Sequence, residues 1–266
     1  MSSVRIVAVI PARMASSRFP GKPLVTVREL PMIEHVRRRA LLCRRFCDVV
    51  VATCDREIAE TVERSGGTWL MTSPSHPGAT DRVAEAMRRL DCTHVVNVQG
   101  DELLVLPGDL ERMVRAMEAE PTVPVWNAVA PIEDEATLRD PSVVKCALSV
   151  SGRVLFCARD LSAWAAGLRE GFQPIRWVVG VLGYRRDVLE RYGNLPRTPL
   201  EQAEGVDQSR ILEHDILLRA VEFRKAYPGL NEPRELALIE RLLEDDPVQA
   251  AVLEEIIEGW PAPLSM

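Results

Sequence analysis

The chain has 266 residues, 47% of them apolar, enough to bury a substantial core without help from disulfides or metals. A net charge of −6 and a pI near 5.4 speak against a nucleic-acid surface, and no apolar run approaches the roughly 20 residues that span a bilayer. Met1-Ser2-Ser3 leads into the first strand without the basic start and long apolar stretch of a secretory leader, so a cytoplasmic protein is expected. The six cysteines form no CxxC pair, and several lie in apolar runs where a free thiol packs as a small hydrophobe, so neither a structural disulfide nor a zinc site is expected.

The first element is an apolar strand, Val4 to Ile10, of the kind buried in a parallel sheet. It breaks into a loop carrying Arg13, Arg18 and Lys22, stiffened by Pro11, Pro20 and Pro23 and bent at Gly21. Ligands in open α/β sheets sit beyond the carboxyl ends of strands, so these three cations are placed to grip a polyphosphate. Pro31 to Cys47 has helical spacing, and Asp48 to Thr53 is a second strand. Asp55 is positioned to cap a helix that runs to Ser65, and Thr68 to Thr72 is a third strand. Ala79 to Leu90 reads as helix, Thr93 to Val98 as strand and Leu106 to Glu120 as helix, with Pro107 in its first turn.

This alternation predicts an α/β, Rossmann-like fold: a mostly parallel central sheet flanked by helices. Beyond Pro121, short strands at Thr122 to Pro131, Val143 to Val150, Val154 to Cys157 and Trp177 to Tyr184 indicate a small antiparallel excursion that could form a dimer surface. Helices return after Arg185, and Arg234 to Gly259 is helical with an interruption at Pro247.

The second chemical signal is Val95 to Glu102, a buried strand ending in Gln99-Gly100-Asp101-Glu102. Gly100 permits a turn, and Asp101 then lies beside the cationic loop, where a carboxylate can hold Mg²⁺ bridged to nucleotide phosphates. Cations for the phosphates and a carboxylate for the metal make a nucleotidyl-transfer site. No GxxxxGK[ST] or GxGxxG sequence is present, which argues against P-loop NTPases and dinucleotide-dependent dehydrogenases. The four histidines, His35, His76, His94 and His214, read as structural residues.

Four segments carry a family resemblance: Ile10 to Arg13, Ser17 to Leu24, His76 to Glu85 and Asn97 to Glu102, with Gly180 to Arg185 and Pro199 to Glu201 in support. Together they resemble the 3-deoxy-manno-octulosonate (KDO) cytidylyltransferases over nearly all of residues 4 to 245. The resemblance implies Mg²⁺-dependent transfer of CMP from CTP to a small acidic acceptor by a homodimer. The chain is then one nucleotidyltransferase domain, 1–266, with a CTP-binding half at 1–120, an acceptor-binding and dimerisation half at 121–233 and C-terminal helices at 234–266.

It further implies catalytic roles for Arg13, Lys22 and Asp101. CTP would be bound by Pro11, Ala12, Arg13, Arg18, Lys22, Thr80, Arg82, Gln99 and Gly100. The acceptor would be bound by Val178, Leu182, Tyr184, Glu201, Glu204 and Gln208, and the metal by Asp101 and Asn231.

Three departures fall in the acceptor part. The family has His-Leu or His-Ile before Gly180, then Gly-Ile-Tyr-Gly-Tyr; here Val178 and Leu182 stand in place of the His and the first Tyr. The family's His-x-Ser-Gly-Thr-Glu-Arg becomes His76 to Arg82 with Pro77-Gly78-Ala79-Thr80-Asp81 between, and Gly-Val-Asp-Thr-Pro becomes Gly229 to Pro233, with Asn231 for a metal-binding Asp. Aliphatic groups would leave sugar hydroxyls unpaired at about 1 to 3 kcal/mol each. An acceptor that is already an oxyanion needs no deprotonation. The chain is therefore similar to enzymes of phosphonate antibiotic pathways that join CMP to phosphonoformate. The arginine bias of its basic residues, of which only Lys22, Lys145 and Lys225 are lysine, agrees with a GC-rich source. KDO as the acceptor is the alternative, and a catalytically silent nucleotide-binding protein is the alternative of another class.

Overall fold

The computed structural model describes residues 4–16, 18–165 and 174–259. Met1-Ser2-Ser3, Ser17 of the cationic loop and the end of the C-terminal region, 260–266, lie outside them.

In chain order, β1 (Ile6–Ala12) leads through a short 3₁₀ turn, Lys22–Leu24, to a small antiparallel ribbon of β2 (Thr26–Val27) and β3 (Leu30–Pro31). Then come α1 (Met32–Leu42), β4 (Asp48–Thr53), α2 (Arg56–Arg64), β5 (Thr68–Met71), α3 (Ala79–Met87), β6 (His94–Val98) and α4 (Pro107–Ala119). The second half holds β7 (Val125–Ala130), α5 (Glu135–Arg139), β8 (Lys145–Leu148), β9 (Val154–Ala158), α6 (Ser162–Ala165), β10 (Ile175–Arg185) and α7 (Arg186–Tyr192). It closes with α8 (Pro199–Glu204), α9 (Asp207–Glu213), β11 (Leu218–Glu222), α10 (Leu236–Asp245) and α11 (Pro247–Glu258).

The main sheet runs β11-β7-β10-β6-β1-β4-β5, with β8 and β9 added beside β10. Pairs β1/β4, β1/β6, β4/β5 and β7/β11 are parallel, whereas β10 is antiparallel to both β6 and β7. This is the expected mostly parallel sheet, and the antiparallel excursion is β8 and β9 hung on β10. The period-2 pattern of β1 explains why it sits in the middle. Ile6, Ala8, Ile10 and Ala12 pack on one face with α1, α4 and α10, while Val7 and Val9 pack on the other with α3, α7 and α9. A strand buried on both faces must be apolar at every position, as this one is.

Asp55 precedes α2 as expected, but its side chain makes no capping bond. Its Oδ2 instead accepts from the Met14 backbone N–H at 2.8 Å, tying the cationic loop to the end of β4. At Pro247 the helical tail divides into α10 and α11, with Asp246 Oδ1 accepting from Val248 and Gln249 N–H. All six cysteines are free thiols. Among the described residues no helix is long and apolar enough to cross a membrane.

Candidate active site

β1 and β6 are neighbouring parallel strands, so the loops beyond their carboxyl ends meet. Gly21, at φ 76°, turns the chain into the 3₁₀ segment that presents Lys22, and the Gly21 N–H closes the loop on Met14 O at 3.0 Å. Lys22 Nζ then lies 3.1 Å from Asp101 Oδ2, with both side chains partly open to solvent. Gly100 is required for a reason other than the turn. A β-carbon there would stand 2.7 Å from Pro11 O, so the two strand ends can approach only across a glycine.

A cavity of about 260 Å³ opens at this edge. Of the residues expected to bind the nucleotide, Pro11, Ala12, Arg13, Arg18, Lys22, Arg82, Gln99 and Gly100 line it, together with Asp101. Arg82 is buried and donates to Thr72 Oγ1 and Ser73 O, which holds its guanidinium at the cavity wall. Thr80 is the exception. It is fully buried and its hydroxyl faces Asp207 of α9 rather than this cavity.

A second cavity of about 430 Å³ adjoins the first and shares Arg18, Ala79, Gln99 and Asp101 with it. Val178, Gln208 and Asn231 line it as expected for an acceptor site. Arg18 Nη2 donates to Asn231 Oδ1 at 3.3 Å, so the loop after β11 closes over the cationic loop.

Leu182, Tyr184, Glu201 and Glu204 do not line this cavity, and the reasons are physical. Because β10 is antiparallel, only its beginning lies at the carboxyl edge of the sheet. Leu182 pairs with Asn97 and Tyr184 with Val95, steps that descend into the core, and both side chains are fully buried. Glu201 is held in a buried ion pair with Arg210, at 2.5 and 2.8 Å, and completes a capping box with Thr198. Glu204 faces Arg159, accepting from its backbone N–H through Oε2 and from its Nε through the main-chain oxygen.

That last contact exposes a residue that sequence reasoning missed. Arg159 lines the second cavity, and Nη1 is spent on the carbonyls of Pro141 and Ser142, which leaves its positive charge available to an acidic ligand. Tyr227 and Glu102 also line the cavity without having been singled out as acceptor contacts, and so does Asp207, which lies in the stretch Glu201 to Arg210 that resembles a family segment near the acceptor site. Glu102 carried a signal, since it ends the Gln99-Gly100-Asp101-Glu102 segment. Its Oε1 accepts from Gly180 N–H at 2.7 Å, across a register break in β10 between Val178 and Leu182. Burial, aided by the neighbouring Asp101 charge and opposed by Gly180 N–H and Lys22, pushes its carboxyl up to about 8.

Of the four histidines, His35 bonds Val27 O, His94 bonds Thr93 Oγ1 and Pro121 O, and His76 pairs with Glu85, whereas the buried Nε2 of His214 meets no hydrogen-bond partner among the described residues. Among the described residues no group of three or more His, Cys, Asp or Glu could hold a metal by itself.

A family model described as cytidylyltransferase matches residues 7–220. The chain is similar to the 3-deoxy-manno-octulosonate cytidylyltransferase of Myxococcus xanthus (strain DK1622), 43% identical over 91% of this chain and 98% of that one. It is similar also to the 3-deoxy-manno-octulosonate cytidylyltransferase of Escherichia coli, at 34% identity over 91% of this chain and 97% of the relative. Among solved structures, CMP:2-keto-3-deoxy-manno-octonic acid synthetase complexed with CTP superimposes with a TM-score of 0.82, 34% identical over 91% of this chain and 99% of that one.

Proposed function

The chain belongs to the cytidylyltransferase family, and on that premise we propose that it transfers CMP from CTP to a 3-deoxy-octulosonate-type sugar acid. An acceptor hydroxyl oxygen attacks the α-phosphorus of CTP and gives up its proton to solvent water, the bond to the β-phosphate oxygen breaks, and pyrophosphate leaves. One observation carries this reading: two adjoining cavities, one ringed by Arg13, Arg18 and Lys22 and one open to Arg159, share Asp101 where the two substrates would meet.

The residues divide the work by position. Arg13, Arg18 and Lys22 offset triphosphate charge and the charge that develops on departing pyrophosphate. Arg82 and Gln99 wall the nucleoside end. Arg159 supplies a cation for the acceptor carboxylate, and Gln208, whose Nε2 is held by Asn127 Oδ1 at 2.7 Å, presents its amide to the same cavity.

The donor set fits Mg²⁺. Asp101 offers one carboxylate at the junction of the cavities, and Asn231, in the second cavity, an amide carbonyl that here accepts from Arg18 Nη2; both are hard oxygens, and water and substrate phosphates would complete the sphere. When bound, the ion supplies charge neutralisation at the reacting phosphate.

The sugar acid is favoured over phosphonoformate on two grounds. The relatives named above are 3-deoxy-manno-octulosonate cytidylyltransferases matched over almost their whole length. The phosphonate reading leaned on Val178, Leu182 and Asn231, and Leu182 is sealed in the core, leaving only two of the three changes at the cavity.

Pyrophosphate release from CTP and Mg²⁺ with KDO, with phosphonoformate and with neither tests the proposal. KDO-dependent release is expected. Release with phosphonoformate alone would reverse the choice of acceptor, and CTP binding by calorimetry without turnover on either would point to a silent nucleotide-binding protein.

A further inference from the structure

Thr80 belongs to neither cavity, yet it connects the walls of both. It occupies the first turn of α3, whose N-cap, Gly78, has no side chain with which to satisfy the free amides. That task falls to Asp207 from the other half of the chain. Asp207 Oδ2 accepts from the Thr80 hydroxyl at 2.8 Å and from the Thr80 backbone N–H at 3.4 Å. The same hydroxyl accepts from Asn97 Nδ2 at 3.3 Å, so one oxygen joins β6, α3 and α9.

The neighbours of this junction are the substrate walls. Gly78 and Ala79 line the nucleotide cavity, and Ala79 lines the acceptor cavity as well. Val206, Asp207 and Gln208, where α9 begins, line the acceptor cavity. The contact is tight, since a β-carbon on Gly78 would come within 2.9 Å of Asp81 Oδ2 and 3.5 Å of Asp207 Oδ1. Burial raises the Asp207 carboxyl, with Asp81 adding to it, while the Thr80 bonds and Arg210 oppose that rise.

We infer that Thr80 is a positioning residue: it holds Asp207 so that a nucleotide seated against Gly78 and Ala79 sets the acceptor wall at the start of α9. The inference deepens the transfer reaction proposed above, and only its acceptor arm rests on that reaction. Thr80 thus acts on the acceptor side of a site in which sequence position had assigned it to CTP.

Thr80→Val keeps the shape, removes the hydroxyl and strands the Asn97 amide and the Asp207 carboxylate. The variant's KM for KDO is expected to rise about 10-fold, as for loss of a hydrogen bond to a charged group. Its calorimetric Kd for CTP should stay within about twofold, and Thr80→Ser should restore the acceptor KM. Asp207→Leu, which keeps much of the volume but cannot accept, should raise the acceptor KM as well, and adding Thr80→Val to it should make little further difference, because both changes break one link.

A readout independent of any acceptor is hydrogen exchange with CTP alone. Protection of amides 206–213 on CTP binding is expected in the wild type and in Thr80→Ser but not in Thr80→Val. Equal protection in wild type and Thr80→Val, or a loss of CTP affinity as large as the loss for acceptor, would overturn the inference. Failure of the wild type to turn over KDO would instead count against the proposed acceptor.

Discussion

Arg210 is the charge on which the junction between α3, α8 and α9 depends, and replacing it with methionine isolates that dependence. Its guanidinium is 2% exposed. It donates to Asp81 at 2.9 and 3.4 Å and to Glu201 at 2.5 and 2.8 Å, and its carbon lies 4.3 Å from the centre of the Tyr192 ring. Methionine fills much of the same volume but leaves the buried carboxylates of Asp81 and Glu201 without their shared cation, with only the half-exposed Arg197 still paired to Glu201 at 3.1 Å. Removing one partner of such a cluster costs about 3 to 5 kcal/mol, most of it the stranded charge rather than lost attraction.

The sign of the pH dependence follows from Glu201. Burial pushes its carboxyl up, but the Arg210 bonds and charge, with Thr198 N–H and Arg197, bring it below the ordinary value. In the wild type that depressed pKa contributes stability present above the unfolded value of 4.5, and it is lost as pH falls through the folded value. In Arg210→Met burial acts unopposed by Arg210, so protonating the stranded carboxyl relieves part of the penalty. Urea unfolding at pH 7 and pH 5 should therefore show a wide gap between the two proteins that narrows on acidification. A gap below about 1 kcal/mol at pH 7, or one that widens at pH 5, would refute the reasoning.

Asp101→Asn keeps the shape beside Lys22 while removing the carboxylate shared by both cavities; pyrophosphate release should fall about 100-fold or more, with unfolding midpoints little changed. His35→Gln should flatten the acid side of the stability curve. Burial lowers the imidazole from 6.5 to about 4, against the Val27 O bond and with the help of Arg39 and Arg38. The unfolded chain therefore takes up a proton as pH falls from 6.5 toward 4 and the folded one does not, so stability is lost across that window, by about 3 kcal/mol at its lower end. Denaturant titrations between pH 7 and 4.5 that show the same slope in wild type and variant would contradict this assignment.

The nucleotide side of the site was legible in the sequence because its signals are local. Arg13 follows β1 directly and Lys22 ten residues on, Asp101 follows β6 by three, and the rule that parallel strands gather their ligands at one edge brings the two loops together. Strand pattern, loop stiffness and charge all sit within short windows, and backbone sterics and burial act on such windows directly. The acceptor side depended on relations that no window contains. The direction of β10 decided that Val178 reaches the cavity while Leu182 and Tyr184 run into the core. Arg210, nine residues beyond Glu201, took that carboxylate out of the site. Arg159 and Asp207 entered the cavity through partners far along the chain, Glu204 for the one and Thr80 for the other. Sequence by itself determined the sheet, its apolar strands and the cationic edge, since each follows from local periodicity and charge. Tertiary structure alone decided which polar groups face substrate and which satisfy one another, because buried charges find their partners only when distant segments pack.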